Sequence, residues 1–165
     1  MPLIRPATTD DLDRIEQIYA HYVTTGVATF ELDPPDQAEW HRRFSAVRAG
    51  SLPFLVAETD GEIHGYGYCT PWRTRPAYRH TVENTVYVAP GSTGLGVGRA
   101  LLERLLADCA ETGVREVIAV IVDSGDPASA RLHERCGFKP GGRLSRVGHK
   151  HGRWLDTLLY QRTLT

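Results

Sequence analysis

Pro90-Gly91-Ser92-Thr93-Gly94-Leu95-Gly96-Val97-Gly98-Arg99 is the stretch on which the fold turns. It follows a β-branched run, Thr81 to Val88, and opens an apolar helical stripe, so it joins a strand to a helix. Glycines at 91, 94, 96 and 98 permit positive φ and can leave amides unpaired, while the helix behind them adds partial positive charge at its N-terminus. Such a loop aims N–H groups at an anion. The plainer alternative is a turn that needs glycine only for its backbone angles. No Gly-Lys-Ser/Thr follows, which excludes a Walker loop. The third glycine of a dinucleotide fingerprint would fall on Arg99 or Leu101, which excludes that too. What remains is the spacing x-x-x-Gly-x-Gly, from Thr93 to Gly98.

Outward from the loop, Val97 to Cys109 carries Leu101, Leu102, Leu105, Leu106 and Cys109 at helical spacing and stops at Gly113. Val117–Val122 predicts a central buried strand. Asp126 as N-cap and Pro127 as first helical residue open a helix closed by Gly137, and strands around Phe138–Arg146 and Trp154–Arg162 finish the chain. Upstream, a strand at Leu3–Arg5 precedes a helix announced by Thr8 and Asp11, a capping-box spacing, with Leu12, Ile15, Ile18, Tyr19, Tyr22 and Val23 on one stripe. Pro34-Pro35-Asp36 opens a second helix, with Phe44 and Val47 inward and Gly50 as its end. Asp60-Gly61 then makes a hairpin of Phe54–Ala57 and Ile63–Tyr68. The order β-α-α-β-β-β-α-β-α-β-β predicts an α+β layered fold, with residues 1–165 in one domain.

Composition narrows the partners. With 19 Lys+Arg against 20 Asp+Glu the net charge is −1, which lacks the basic footprint of a nucleic-acid binder. The longest aliphatic stretch, Val117–Val122, is far short of the ~20 residues of a membrane helix. The N-terminal segment has no signal-peptide apolar core, so a cytoplasmic location is expected. Cys69, Cys109 and Cys136 form no C-x-x-C pair and read as buried thiols in a reducing compartment. His149 and His151 would share a strand face, but two ligands are too few for a metal, and none is expected.

Alternation along Thr81–Val88 puts Val82, Asn84, Val86 and Val88 on one face, and Thr81, Glu83, Thr85 and Tyr87 on the other. Two basic groups stand out: Arg73, Arg75 and Arg79; and Lys139, Arg143, Arg146, Lys150 and Arg153, in a run free of acids from Phe138 to Arg153. If they converge, they suit a small substrate with two anionic groups; singly, each reads as solvated charge.

The Thr93–Gly98 spacing resembles the diphosphate loop of the GNAT superfamily of N-acetyltransferases, Gln/Arg-x-x-Gly-x-Gly/Ala. Ser129-Ala130-Arg131-Leu132-His133-Glu134-Arg135-Cys136-Gly137-Phe138 resembles the next motif of that family. Within it, Thr29-Phe30-Glu31, Pro71-Trp72, Arg75-Pro76-Ala77-Tyr78, Thr81-Val82-Glu83, Leu132-His133-Glu134 and Gly148-His149-Lys150-His151-Gly152 are similar to the phosphinothricin N-acetyltransferase group. The resemblance implies a mixed, mostly antiparallel sheet of about seven strands flanked by four helices. It also implies acetyl-CoA as co-substrate, a homodimer, and an acceptor amino acid of the phosphinothricin or methionine sulfone/sulfoximine type.

For cofactor binding the resemblance implies Thr93, Gly94, Leu95, Gly96, Val97, Gly98 and Arg99 at the phosphates. Val86, Tyr87 and Val88 would lie along the pantetheine, with Asp126 and Ser129 at the following helix. For the amino acid it implies Phe30, Glu31, Trp72, Arg75, Pro76, Ala77, Tyr78, Arg79, Thr85 and Lys150. Glu83 would be the general base, and a strand N–H near Val86 or Val88 would stabilise the oxyanion. His133 would protonate the leaving thiolate, or else be a core histidine. Thr93 departs from the family's Gln/Arg, and Asp126 from a common Asn that can both donate and accept. These departures keep open a second reading, an acyl-CoA-binding sensor with little turnover. Phosphinate and neutral sulfone acceptors also stay open.

Overall fold

A computed structural model describes residues 1–165. Its seven strands are β1 (Leu3–Pro6), β2 (Phe54–Thr59), β3 (Glu62–Pro71), β4 (Thr81–Val88), β5 (Glu116–Val122), β6 (Lys139–Lys150) and β7 (Arg153–Thr163). They form one sheet in the order β1-β2-β3-β4-β5-β7-β6, antiparallel everywhere except between β4 and β5. Helices α1 (Leu12–Thr25) and α2 (Gln37–Ala49) cover one face, packing Tyr19, Trp40 and Phe44 against Phe54 and Tyr66. On the other face lie α3 (Val97–Glu111) and α4 (Ala128–Arg135), where Leu101, Leu102 and Leu105 are fully buried. Each of those leucines contributes about 1.5–3 kcal/mol of apolar burial. No helix is long and apolar enough to cross a membrane.

Local chemistry sets the boundaries. Thr8 N–H donates to Asp11 Oδ2 at 2.8 Å, and the Arg5 guanidinium grips both Asp11 oxygens at 2.8 and 2.9 Å, so one carboxylate fastens the start of α1 to β1. A single 3₁₀ turn, Thr9–Asp11, leads into that helix. Asp36 Oδ1 accepts from Glu39 N–H at 2.9 Å, capping α2. Asp60-Gly61 and His151-Gly152 are two-residue hairpin turns whose residues all take positive φ, as the strand twist requires.

Three expectations are corrected. The last helix starts at Ala128 with Pro127 outside it, because Pro127 has ψ near 1°; Asp126 Oδ1 still accepts from Ala128 N–H at 3.0 Å. β6 extends to Lys150 across a bulge between Leu144 and Gly148, where Arg146 takes φ 55°; the bulge scrambles the alternation that would have revealed the strand. Consequently His149 lies within the strand while His151 lies in the turn, and the two do not share a strand face. Finally, β5 is central but buried on one face only. Val117, Ala119 and Ile121 sit under α3, whereas Val120 is 38% exposed where α1 and α2 no longer cover the sheet.

Close packing of α3 on the sheet depends on Gly65 and Gly67 of β3. A Cβ at Gly65 would lie 3.0 Å from Val97 Cγ1, and one at Gly67 would lie 2.9 Å from Leu105 Cδ1. This approach brings the N-terminus of α3, with its glycine loop, up against the end of β4.

Candidate active site

β4 and β5 are paired only from Thr81↔Glu116 to Glu83↔Ile118, although β4 continues to Val88 and β5 to Val122. Beyond Glu83 the two strands part. Thr81 C=O accepts from Trp72 N–H, and Ala89 N–H donates to His64 C=O, so odd-numbered residues here turn their backbone toward β3. Even-numbered Val86 and Val88 therefore turn theirs toward the gap. Tyr22 OH donates to the Val88 carbonyl.

The glycine loop lies at the mouth of this gap. Gly91, Gly94 and Gly96 take φ of 144°, 78° and 82°, and a Cβ on any of them would meet no protein atom within 4 Å. Backbone angle, not crowding, selects glycine there, and the space in front stays open to a ligand. Thr93 and Leu95 are exposed, Arg99 pairs with Glu103 at 2.7 Å, and Val97 is buried. Gly98 differs from its neighbours: it is helical, and its hydrogen-only side chain lets Leu132 Cδ2 and Val88 Cγ2 approach, at 3.3 and 3.5 Å from where a Cβ would sit. Exposed Asp126 and Ser129 stand at the start of α4, on the far side of the gap. Loop amides, a helix N-terminus and unpaired strand edges suit a diphosphate followed by an amide-bearing chain.

Glu83 projects from β4 on the face carrying Thr85 and Tyr87, opposite the α3 side. Burial pushes its carboxyl above the usual range, and the Arg73 charge partly opposes this. The Arg73 guanidinium stacks 4.7 Å from the Trp72 ring centroid. Of the predicted turn residues, Trp72 is half-buried, while Arg75, Pro76, Ala77 and Tyr78 are exposed, with Pro76–Tyr78 in a 3₁₀ turn. Arg79 instead lines a cavity of about 280 Å³ with His80, Ser51 and Gly113, at the end of β4 away from the glycine loop.

Phe30 and Glu31 form a wall that the structure fastens at several points. The tip of the Phe30 ring packs against Gly148, where any Cβ would collide with it. Buried Thr29 shares a 2.6 Å hydrogen bond with Tyr19. Burial alone would raise the Glu31 carboxyl, but the Arg43 guanidinium, bonded to both its oxygens, holds it below the usual range.

Two expectations about the site change. Lys150 is 2% exposed, and its Nζ donates to the Thr29 carbonyl at 2.9 Å. Burial lowers its ammonium pKa, against the opposing charge of Glu31. It is thus a fastener of the Phe30–Glu31 wall, not a free cation facing solvent. His133 is 5% exposed; its Nδ1 lies 2.7 Å from the Ser129 carbonyl and its Nε2 lies 3.0 Å from Asn84 Nδ2. A carbonyl can only accept, so Nδ1 carries the proton and Nε2 accepts from the amide. Burial pushes the imidazole pKa down, against the Ser129 bond. In this arrangement His133 is a buried histidine tied at both ring nitrogens, its Nδ1 proton held by the Ser129 carbonyl. Of the two basic groups, Arg143 is not a free cation either: it is bound at 2.8 Å to both Asp123 and Asp156.

Arg43, Tyr68 and Asn84 are the residues that the sequence reading did not select. The Tyr66/Tyr68 alternation between glycines was a visible signal for the β3 wall, since these two side chains share the Glu83 face. Arg43 and Asn84 gave none, because their partners lie on other elements.

An amide cradle leading into an interrupted parallel strand pair, with a desolvated carboxylate beside it, defines an acyltransferase that takes its acyl group from a long, phosphate-bearing carrier. The sequence profile of the Acetyltransferase (GNAT) family matches residues 13–138, and the chain belongs to that family. It is 50% identical over 161 residues to the phosphinothricin N-acetyltransferase of Alcaligenes faecalis, covering 98% of this chain and 82% of that protein. It is 38% identical over 162 residues to the L-methionine sulfoximine/L-methionine sulfone acetyltransferase of Pseudomonas paraeruginosa, covering 98% and 94%. The crystal structure of a GNAT superfamily phosphinothricin acetyltransferase from Sinorhizobium meliloti in complex with AcCoA superimposes with a TM-score of 0.95 at 42% identity, covering 99% of this chain and 88% of that one.

Proposed function

We propose that the protein transfers the acetyl group of acetyl-CoA directly to the α-amine of a small amino acid of the phosphinothricin or methionine sulfone/sulfoximine type. The observation that carries this reading is Glu83, a desolvated carboxylate at the last paired residue before β4 leaves β5. The names of the similar proteins supply the acceptor class. Acetyl-CoA supplies a thioester carbonyl, and the chain does the rest. An α-ammonium, with an ordinary pKa of ~8, must shed a proton before its nitrogen attacks. Glu83 takes that proton, directly or through one water. The attacking nitrogen forms the C–N bond, the C–S bond breaks, and the sulfur leaves with a proton as free thiol. Val86 and Val88 N–H face the gap, where the carbonyl oxygen gathers charge. Arg73 offers the substrate's carboxylate a cation close to the base. With His133 neutral and tied at both nitrogens, the thiol's proton comes from the reacting amine by way of Glu83 or solvent.

A second copy of the chain belongs to this reading. Val120 and, on the β6–β7 hairpin, Leu144, Val147 and Trp154 are exposed apolar residues, and a homodimer would cover them. The three free, buried cysteines fit the cytoplasm. The test is release of CoA thiol from acetyl-CoA with L-phosphinothricin or L-methionine sulfone, against lysine peptides and polyamines as controls. Release with the two amino acids is expected. CoA binding without release with any amine would favour a sensor instead.

A further inference from the structure

Between Pro90 and Gly98 the loop contains no Lys, Arg or His. Its hold on a diphosphate therefore depends on how firmly its amides are already aimed. Three glycines at positive φ make that aim costly to acquire, since fixing a free backbone costs ~1–2 kcal/mol per residue. A closed circuit of hydrogen bonds ties the start of the loop to β3. Ala89 N–H donates to the His64 carbonyl at 2.8 Å, Ser92 N–H donates to the Ala89 carbonyl at 2.9 Å, and the His64 Nδ1 and Ser92 Oγ bond each other at 2.8 Å. Ser92 is buried, so the hydroxyl has no ready substitute partner in solvent. Two of these bonds are backbone and independent of sequence. The third exists only because residue 64 is histidine and residue 92 is serine.

We propose that His64 is a positioning residue for the cofactor loop: through Ser92 it pre-organises the Thr93–Gly98 amides for the diphosphate of acetyl-CoA. This rests on the reading that the loop takes acetyl-CoA. His64 touches no reacting atom. It supplies by rigidity what a cation in the loop would supply by charge.

The test is calorimetric titration of the full chain with CoA, using wild type, His64→Ala, Ser92→Ala, the double variant and His64→Asn. Loss of one net hydrogen bond predicts a rise in Kd of roughly three- to tenfold for either alanine variant. The double variant should be no worse than either single one, because both remove the same bond. Asn, whose amide N–H can stand where Nδ1 stood, should restore most of the affinity. In the transfer assay KM for acetyl-CoA should rise while KM for the amino acid stays put. A Kd within twofold of wild type in His64→Ala, or additive losses in the double variant, overturns the proposal. So does a loss that Asn fails to restore and that follows a fall in melting temperature. Wild-type protein that binds no CoA would instead refute the acetyl-CoA reading, whereas binding without acetyl transfer leaves the His64 comparison fully readable.

Discussion

Replacing Glu83 by Gln keeps the size and most of the hydrogen bonding of the side chain but removes the base. A positioned base contributes about 10²–10⁴-fold, or about 3–5.5 kcal/mol of barrier at 1.36 kcal/mol per decade. Burial has pushed this carboxyl above its ordinary 4.5, toward neutral pH, where a base is most effective, and Arg73 gives back only part of that displacement. A loss in kcat of about 10³-fold at pH 7 is therefore expected. Below its raised pKa Glu83 holds a proton and cannot accept another, so wild-type kcat should climb with pH through that value, and the Gln variant should lack this limb. Stability should move the other way. Between 4.5 and the raised value the native state binds more protons than the unfolded one, so folding stability falls as pH rises across that window. Gln does not titrate, and the variant should melt no lower than wild type at pH 7. Steady-state thiol release from pH 5 to 9, with melting curves on the same samples, reads both. A kcat within threefold of wild type, an unchanged acid limb, or a fall in melting temperature matching the activity loss would refute the assignment.

Lys150→Met should leave the buried Thr29 carbonyl without its donor, costing about 1–3 kcal/mol in urea denaturation. It should also raise KM for the amino acid more than KM for acetyl-CoA, because the Phe30–Glu31 wall loses its anchor; equal stability and equal KM values would remove the anchoring role. For His133, ¹⁵N chemical shifts should show a protonated Nδ1 and a bare Nε2 at pH 6.5, since burial holds its pKa below that ordinary value. Stability should accordingly decline as pH falls below 6.5, where the unfolded imidazole protonates first, and an imidazolium signal at pH 6.5 would contradict the assigned tautomer. Val120→Asp, in the uncovered sheet face, should convert a dimer to monomers in light scattering, and monomeric wild-type protein would dispose of the dimer.

The element order was readable because each boundary is decided within a few residues. Asp36 caps the amide three places on, Asp60-Gly61 needs no distant partner, and Gly113 ends α3 with a φ of 85°. Glu83 was readable for the same reason, since strand alternation is local. Lys150 was misread because its partner, Thr29, is 121 residues away, and a buried lysine looks like a free one until its acceptor is seen. The basic run near the C-terminus suffered likewise: Asp123 and Asp156, which bind Arg143, lie outside or beyond it. Half of the His133 story was within reach, because Ser129 precedes it by one helical turn, but Asn84 arrives from another element and fixes the tautomer.

The break between β4 and β5 has a physical cost that points to its purpose. A parallel pair that continued past Glu83 would satisfy the backbone of Asn84, Val86 and Val88 with that of Ala119 and Ile121, as the first three pairs already do. Leaving backbone polar groups unpaired in mid-sheet is unfavourable unless water or a ligand completes them. The packing nonetheless holds the strands apart. Gly98 lets Leu132 of α4 and Val88 of β4 close on the first turn of α3, and Tyr22 takes the Val88 carbonyl from the opposite face. An alanine at 98 would press on Leu132, whereas one at 94 or 96 would meet nothing and suffer only the positive φ. The four glycines of the opening stretch thus divide their labour. Gly91, Gly94 and Gly96 shape a cradle open to a ligand, and Gly98 packs α3, α4 and β4 around the gap into which that ligand's chain would run.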